Sequence, residues 1–74
     1  MTKKIVSRED LSKVSNNAID KVSQELQLDR NLFRATANYT DSTKLINIEV
    51  YSRGRTSHFF TANPKTLELT KIEI

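Results

Sequence analysis

After Leu28 the apolar residues stop recurring every third or fourth position and begin to recur every second. A period of 3.6 and a period of 2 cannot belong to one element, so the chain must place a helix ahead of a set of strands. Leu11, Val14, Ala18, Val22 and Leu26 form one apolar stripe, while Lys13, Asn17, Asp20, Lys21 and Gln24 fall off it. The spacing predicts a single amphipathic helix over residues 8 to 28. Ser7 suits its N-cap, Asp10 the reciprocal capping-box acid and Val6 a hydrophobic staple onto Leu11. Glu9 and Asp10 also suit the positive end of the helix dipole.

Downstream, Phe33, Ala35, Ala37 and Tyr39 alternate with polar residues, and so do Ile46, Ile48 and Val50. These read as two half-buried strands joined by the turn formers Thr40 to Thr43. Thr56 to Ala62 reads as a third strand and Leu67 to Ile74 as a fourth, with Asn63-Pro64-Lys65-Thr66 as a type I turn between them. Short connections make sequential strands antiparallel neighbours, and neither the helix nor the sheet can bury its apolar side alone. The expected fold is α+β, one N-terminal amphipathic helix packed on a four-stranded antiparallel meander. The expected core sets the helix stripe, Leu26 included, against Phe33, Ile46, Ile48, Val50 and Phe60.

With 74 residues, the chain is expected to form one domain over 1–74, in which nearly every large apolar side chain must contribute to the core. It has no cysteine, so stability comes from ordinary packing or from packing against a second subunit, and a homodimer is one of the expected assemblies. The lack of cysteine fits a reducing compartment. MTKKIV has a basic start, but Ser7, Arg8, Glu9 and Asp10 follow where a signal peptide needs an apolar run. No uninterrupted apolar stretch approaches the ~20 residues of a membrane span. A cytoplasmic protein without membrane attachment is the expectation.

The stretch YSRGRTSHFF, residues 51 to 60, holds the only glycine and the only histidine. Gly54 can supply the positive φ of a three-residue hairpin loop, Ser52-Arg53-Gly54. That loop sets Val50 against Thr56, Ile48 against His58 and Ile46 against Phe60, and the Asn-Pro turn sets Phe60 against Leu69. Phe60 then faces the helix. A two-residue Arg53-Gly54 loop would instead bury Phe59 and turn Phe60 outward. Under either register, one of the two adjacent phenylalanines lies on the outer face of the sheet. In the first, Phe59 is joined there by Leu45, Tyr51, Ile72 and Ile74, a candidate partner or dimer surface. A bulge near Thr70 and Lys71 would instead return Ile72 and Ile74 to the core.

Little in the sequence supports catalysis. His58 has no cysteine to activate, and the serines are scattered over a helix and turns. The carboxylates are dispersed, so no metal site is expected, and one glycine cannot build a phosphate-cradling loop. No cofactor is expected either. Nucleic-acid binding has more support: twelve basic residues against nine acidic give a net charge of +3, and Arg53, Arg55 and Lys44 are candidates for a basic cluster beside Tyr51, His58 and Phe59.

The second half, LINIEVYSRGRTSHFFTANPKTLELTKIEI, resembles the PepSY domain. It shows an alternating strand, a short polar hairpin, an aromatic strand, and a turn of the form Asp/Asn-x-x-Thr-Gly before a final Ile/Val-rich strand. Here the turn is Asn63-Pro64-Lys65-Thr66, and Leu67 stands where that family usually has glycine. The preceding helix also fits, and cystatin-like domains share the pattern. The resemblance implies a helix-plus-meander fold and a role in binding or inhibiting proteins such as peptidases. It carries over no catalytic residue. The expected function is non-enzymatic protein binding, as an inhibitor or regulatory accessory, through Leu45, Tyr51, Arg53, Arg55, Phe59, Ile72 and Ile74. The alternative is a nucleic-acid-binding accessory protein using the basic hairpin tip.

Overall fold

A computed structural model describes residues 6–72. One helix, α1 (Arg8–Leu26), is followed by a short 3-10 turn (Arg30–Leu32) and by strands β1 (Arg34–Thr40), β2 (Leu45–Tyr51), β3 (His58–Ala62) and β4 (Leu69–Ile72). The strands form one antiparallel sheet in the order β1-β2-β3-β4. The helix packs on one face of that sheet, which makes the chain an α+β fold of two layers.

The helix begins as its sequence requires. The Asp10 amide donates to Ser7 Oγ at 3.1 Å and the Ser7 amide donates back to the Asp10 carboxylate at 3.4 Å, so two otherwise orphaned donors are satisfied reciprocally. It ends two residues before the expected position. Gln27 adopts the left-handed conformation at φ 56°, and the Leu28 amide donates to the Ser23 carbonyl at 2.9 Å. That closure moves the stripe off register at its last turn. Leu26 is 41% exposed, against the expectation that it joins the core, and Leu28 packs there instead.

The core comprises Val6, Val14, Ala18, Val22, Phe33, Ile46, Ile48, Val50, Phe60 and Ala62. Alternate residues of β2 supply its centre, since Ile46, Ile48 and Val50 all point at the helix. The one buried polar side chain in the described region is Ser23. Its hydroxyl donates to the Asp20 carbonyl at 3.0 Å, which removes the cost of burying it.

Both expected hairpin registers are displaced by two residues. Ile48 pairs with Phe60, Val50 with His58 and Ile46 with Ala62, and Ala62 pairs with Leu69 rather than Leu67. Gly54 does take positive φ, +73°, and the Arg55 amide closes a turn on the Ser52 carbonyl. The loop, however, runs from Ser52 to Ser57, so β3 starts at His58 and not at Thr56. The Asn-Pro turn is longer than type I. Asn63 Oδ1 accepts from the amides of Lys65 and Thr66, the Leu67 amide donates to the Asn63 carbonyl, and Leu67 takes φ 63°. A two-residue slip preserves which face each side chain occupies, so Phe60 is buried and Phe59 lies on the outer face, as in the first register.

The helix covers β1 and β2 more fully than β3. Beside its second half a groove of about 420 Å³ opens, lined by Lys21, Gln24, Glu25, Phe60, Leu69 and Lys71. Lys71, the ladder partner of Phe60, projects on the helix side and forms an ion pair with Glu25. No helix among the described residues is long and apolar enough to cross a membrane.

Candidate protein-binding face

The face of the sheet turned away from α1 is covered by no element among the described residues. The strand registers arrange it in cross-strand rows. Thr36, Glu49, Phe59 and Ile72 form one continuous row across all four strands. Asn38, Asn47, Thr61 and Thr70 form the next. Directly opposed side chains in such rows stand about 5 Å apart, so each row is a contiguous strip. Arg34 and Tyr51 pair at the end of the sheet that carries the Ser52 to Ser57 loop, and Thr40 and Leu45 pair at the other end.

Phe59 is the centre of the apolar part. It is half-buried, with Glu49 on one side and Ile72, 42% exposed, on the other. Tyr51, 39% exposed, lies one row away on the neighbouring strand. Ser57 Oγ donates to Glu49 Oε2 at 3.0 Å, which ties the end of the loop to the central row. A shallow depression of about 190 Å³ lies over Thr36, Asn38, Asn47, Glu49, Phe59 and Ile72. The arrangement offers an aromatic anchor with a polar surround, the ordinary composition of a recognition surface.

The expected patch is only partly assembled. Tyr51, Phe59 and Ile72 are brought together, and β4 pairs regularly through Ile72 without the alternative bulge. Leu45 shares the face but stands two rows from Phe59, beyond the polar Asn47 and Thr61. Arg53 and Arg55 are exposed in the loop beside Tyr51. Ile74 lies outside the described residues. The basic cluster is corrected outright: Lys44 precedes β2 and Arg53 follows it, so the seven residues Leu45–Tyr51 separate them, a length of roughly 24 Å. Its place beside Arg53 and Arg55 is taken by Arg34, the ladder partner of Tyr51. Only the β1–β2 register reveals Arg34, because in sequence it is merely the polar half of an alternating pair.

His58 falls on the helix side, paired with Val50 and half-buried. On that side the Lys71 ammonium, hydrogen-bonded to Glu25, holds the Glu25 carboxyl below the usual carboxylate range, with His58 and Lys21 adding smaller electrostatic contributions. Among the described residues no group of three or more His, Asp or Glu side chains is placed to hold a metal ion. No protein-family model matches the chain, and neither a curated protein nor a solved structure matches it.

Proposed function

We propose that the chain is a non-enzymatic protein-binding module, an inhibitor or regulatory accessory acting in the cytoplasm, and that its partner docks on the outer face of the sheet. The observation that carries this reading is Phe59, held outward between Glu49 and Ile72 with Tyr51 nearby, on a face that no described element covers. Aromatic side chains, Phe among them, are enriched in the cores of protein interfaces. Arg34, Arg53 and Arg55 stand at one end of this face, so the complementary partner presents an apolar side chain flanked on that side by carboxylates.

A second reading has one observation of its own. The Arg34–Tyr51 pair, with Arg53 and Arg55 just beyond, places cations around an aromatic ring, as binders of single-stranded nucleic acid do.

Affinity capture from host lysate with and without nuclease treatment, run in parallel with wild type and Phe59→Ala, tests the first reading. A protein captured by wild type and lost with Phe59→Ala supports it. Capture that is unaffected by Phe59→Ala, or that disappears on nuclease treatment, overturns it. For the second reading, binding to single-stranded DNA or RNA is titrated against salt. Each phosphate contact contributes ~0.7 to the logarithmic slope, so Arg53→Gln with Arg55→Gln should flatten it by ~1.4. Absence of binding at low salt removes that reading.

A further inference from the structure

The two edges of the sheet are built differently. The described part of strand β4, Leu69–Ile72, carries Lys71 on the helix side, ion-paired with Glu25. A lysine on an edge strand is a device that keeps it from pairing with another chain. Strand β1 has no such lysine. Its seven residues, RATANYT, contain no proline and no lysine, pair with β2 without a bulge, and carry a single charge, Arg34, at the extreme end. No strand among the described residues pairs with its free edge.

From this contrast we infer that the free edge of β1 pairs antiparallel with β1 of a second copy, joining two four-stranded sheets into one of eight strands. A two-fold axis relating antiparallel strands of one sheet must stand perpendicular to that sheet, so both helices lie on the same side. Residues facing each other across the junction then share a face. Centring the axis on Ala37 pairs the whole strand: Arg34 with Thr40, Ala35 with Tyr39, Thr36 with Asn38, and Ala37 with its own copy. On the helix side the small Ala35 and Ala37 leave room for the ring of Tyr39 from the other chain. On the outer side only uncharged polar residues meet Thr36 and Asn38. No like charges are opposed, and Arg34 of each chain comes beside Thr40 and the adjoining Asp41 of the other.

The helix flank beside β1 agrees with this occupant. The helix residues Ser12, Ser15, Asn16 and Ile19 line the groove next to Phe33 and Ala35, which Arg30 and Arg34 also line, whereas the helix flank above β4 carries Lys21, Gln24 and Glu25. Dimerisation also enlarges the proposed recognition face. Strands of seven, seven, five and four described residues present roughly 370 Å² by strand spacing and rise, below the ~800 Å² that each partner of a standard interface buries. Eight strands present about twice that. The dimer itself does not rest on the protein-binding reading; only this consequence does.

Sedimentation across a micromolar to millimolar concentration range tests the inference. Wild type should reach a dimer. Thr36→Lys with Asn38→Lys sets lysines opposite each other twice at the junction and should raise the dimer dissociation constant about tenfold or more. Thr36→Lys with Asn38→Glu sets opposite charges there and should keep the dimer, while in each chain the lysine faces Glu49. Phe59→Ala should also keep it, which separates an edge junction from an outer-face junction. Hydrogen exchange on wild type needs no variant: alternate amides of β1 should become protected as concentration rises. A wild type that stays monomeric throughout overturns the inference. So does a dimer that survives the double lysine change in a folded protein, one that is lost with Phe59→Ala, or β1 exchange independent of concentration.

Discussion

Phe59 and Ile72 are ladder partners across β3 and β4, side by side on the face of the sheet opposite the helix, while the next residue, Phe60, is 2% exposed in the core. Two chemically identical neighbours therefore have different energetic roles. Phe60→Ala should cost ~3 to 5 kcal/mol, the usual range for emptying a buried aromatic site. A domain of this length holds only roughly 4 to 11 kcal/mol in total, so that loss threatens the fold. Phe59→Ala should cost less, about 1 to 3 kcal/mol, because Phe59 keeps part of its surface in water and lies outside the helix-facing core. Urea denaturation midpoints of the two variants measure the difference, and the reverse order would require the sheet to be redrawn with its faces exchanged.

The helix stripe divides in the same way. Ile48→Ala should destabilise by ~2 to 5 kcal/mol. Leu26→Ala should stay under about 1 kcal/mol, since Leu26 sits exposed in the last helical turn and alanine has the higher helix propensity. Thermal unfolding followed by circular dichroism separates them. Equal losses would place Leu26 in the core after all.

Ser7→Ala removes the hydroxyl that accepts the Asp10 amide. A loss of about 1 kcal/mol is expected, as for other capping side chains. Ser7→Asp should retain most of the stability, because a carboxylate both accepts the same bond and suits the positive end of the helix dipole. Chemical denaturation of the two variants checks the pair.

Lys44 and Leu67 both sit at positive φ, 60° and 63°, and each donates its amide to the carbonyl four residues earlier. A non-glycine residue costs about 1 to 2 kcal/mol in this region, offset in part by the greater freedom of glycine in the unfolded chain. Lys44 is exposed, so Lys44→Gly should stabilise by ~0.5 to 1 kcal/mol. Leu67 packs against the core, so Leu67→Gly gains the same relief but loses side-chain burial and should be the less favourable change. The sign of the difference between their unfolding midpoints is the measurement.

The Glu25–Lys71 pair makes a prediction about acid stability. A carboxyl held below its ordinary value in the folded state stabilises fully above that ordinary value and loses its contribution as pH falls through the lowered one. Lys71→Met should therefore reduce stability slightly at neutral pH and leave it nearly unchanged in strong acid. The effect is small because the pair is solvent-exposed. Unfolding midpoints compared across pH 2 to 7, as a rough working range, test the slope; an equal loss at every pH would assign the effect to packing of the Lys71 stem.

Periodicity by itself determined the order of elements, the faces of the β1 and β2 residues and the capping of the helix, because these depend on neighbours two to four positions away. The separation of Phe59 from Phe60 belongs to that class, since adjacent strand residues must point apart; which of the two faces the helix, and the side of Ile72, were left to the strand registers. The tertiary structure decided what depends on contacts distant in sequence. Loop lengths shifted both hairpins by two residues, a change invisible to alternation because it exchanges no faces. The left-handed turn at Gln27 ended the helix early and exchanged Leu26 for Leu28, although no glycine marks the stop. Lys44 went to the far end of the sheet and Arg34 came to the near one, because meander topology alternates its turns between two ends. Which edge strand is guarded was likewise decided in three dimensions, when Lys71 turned inward to Glu25 and β1 kept a bare edge.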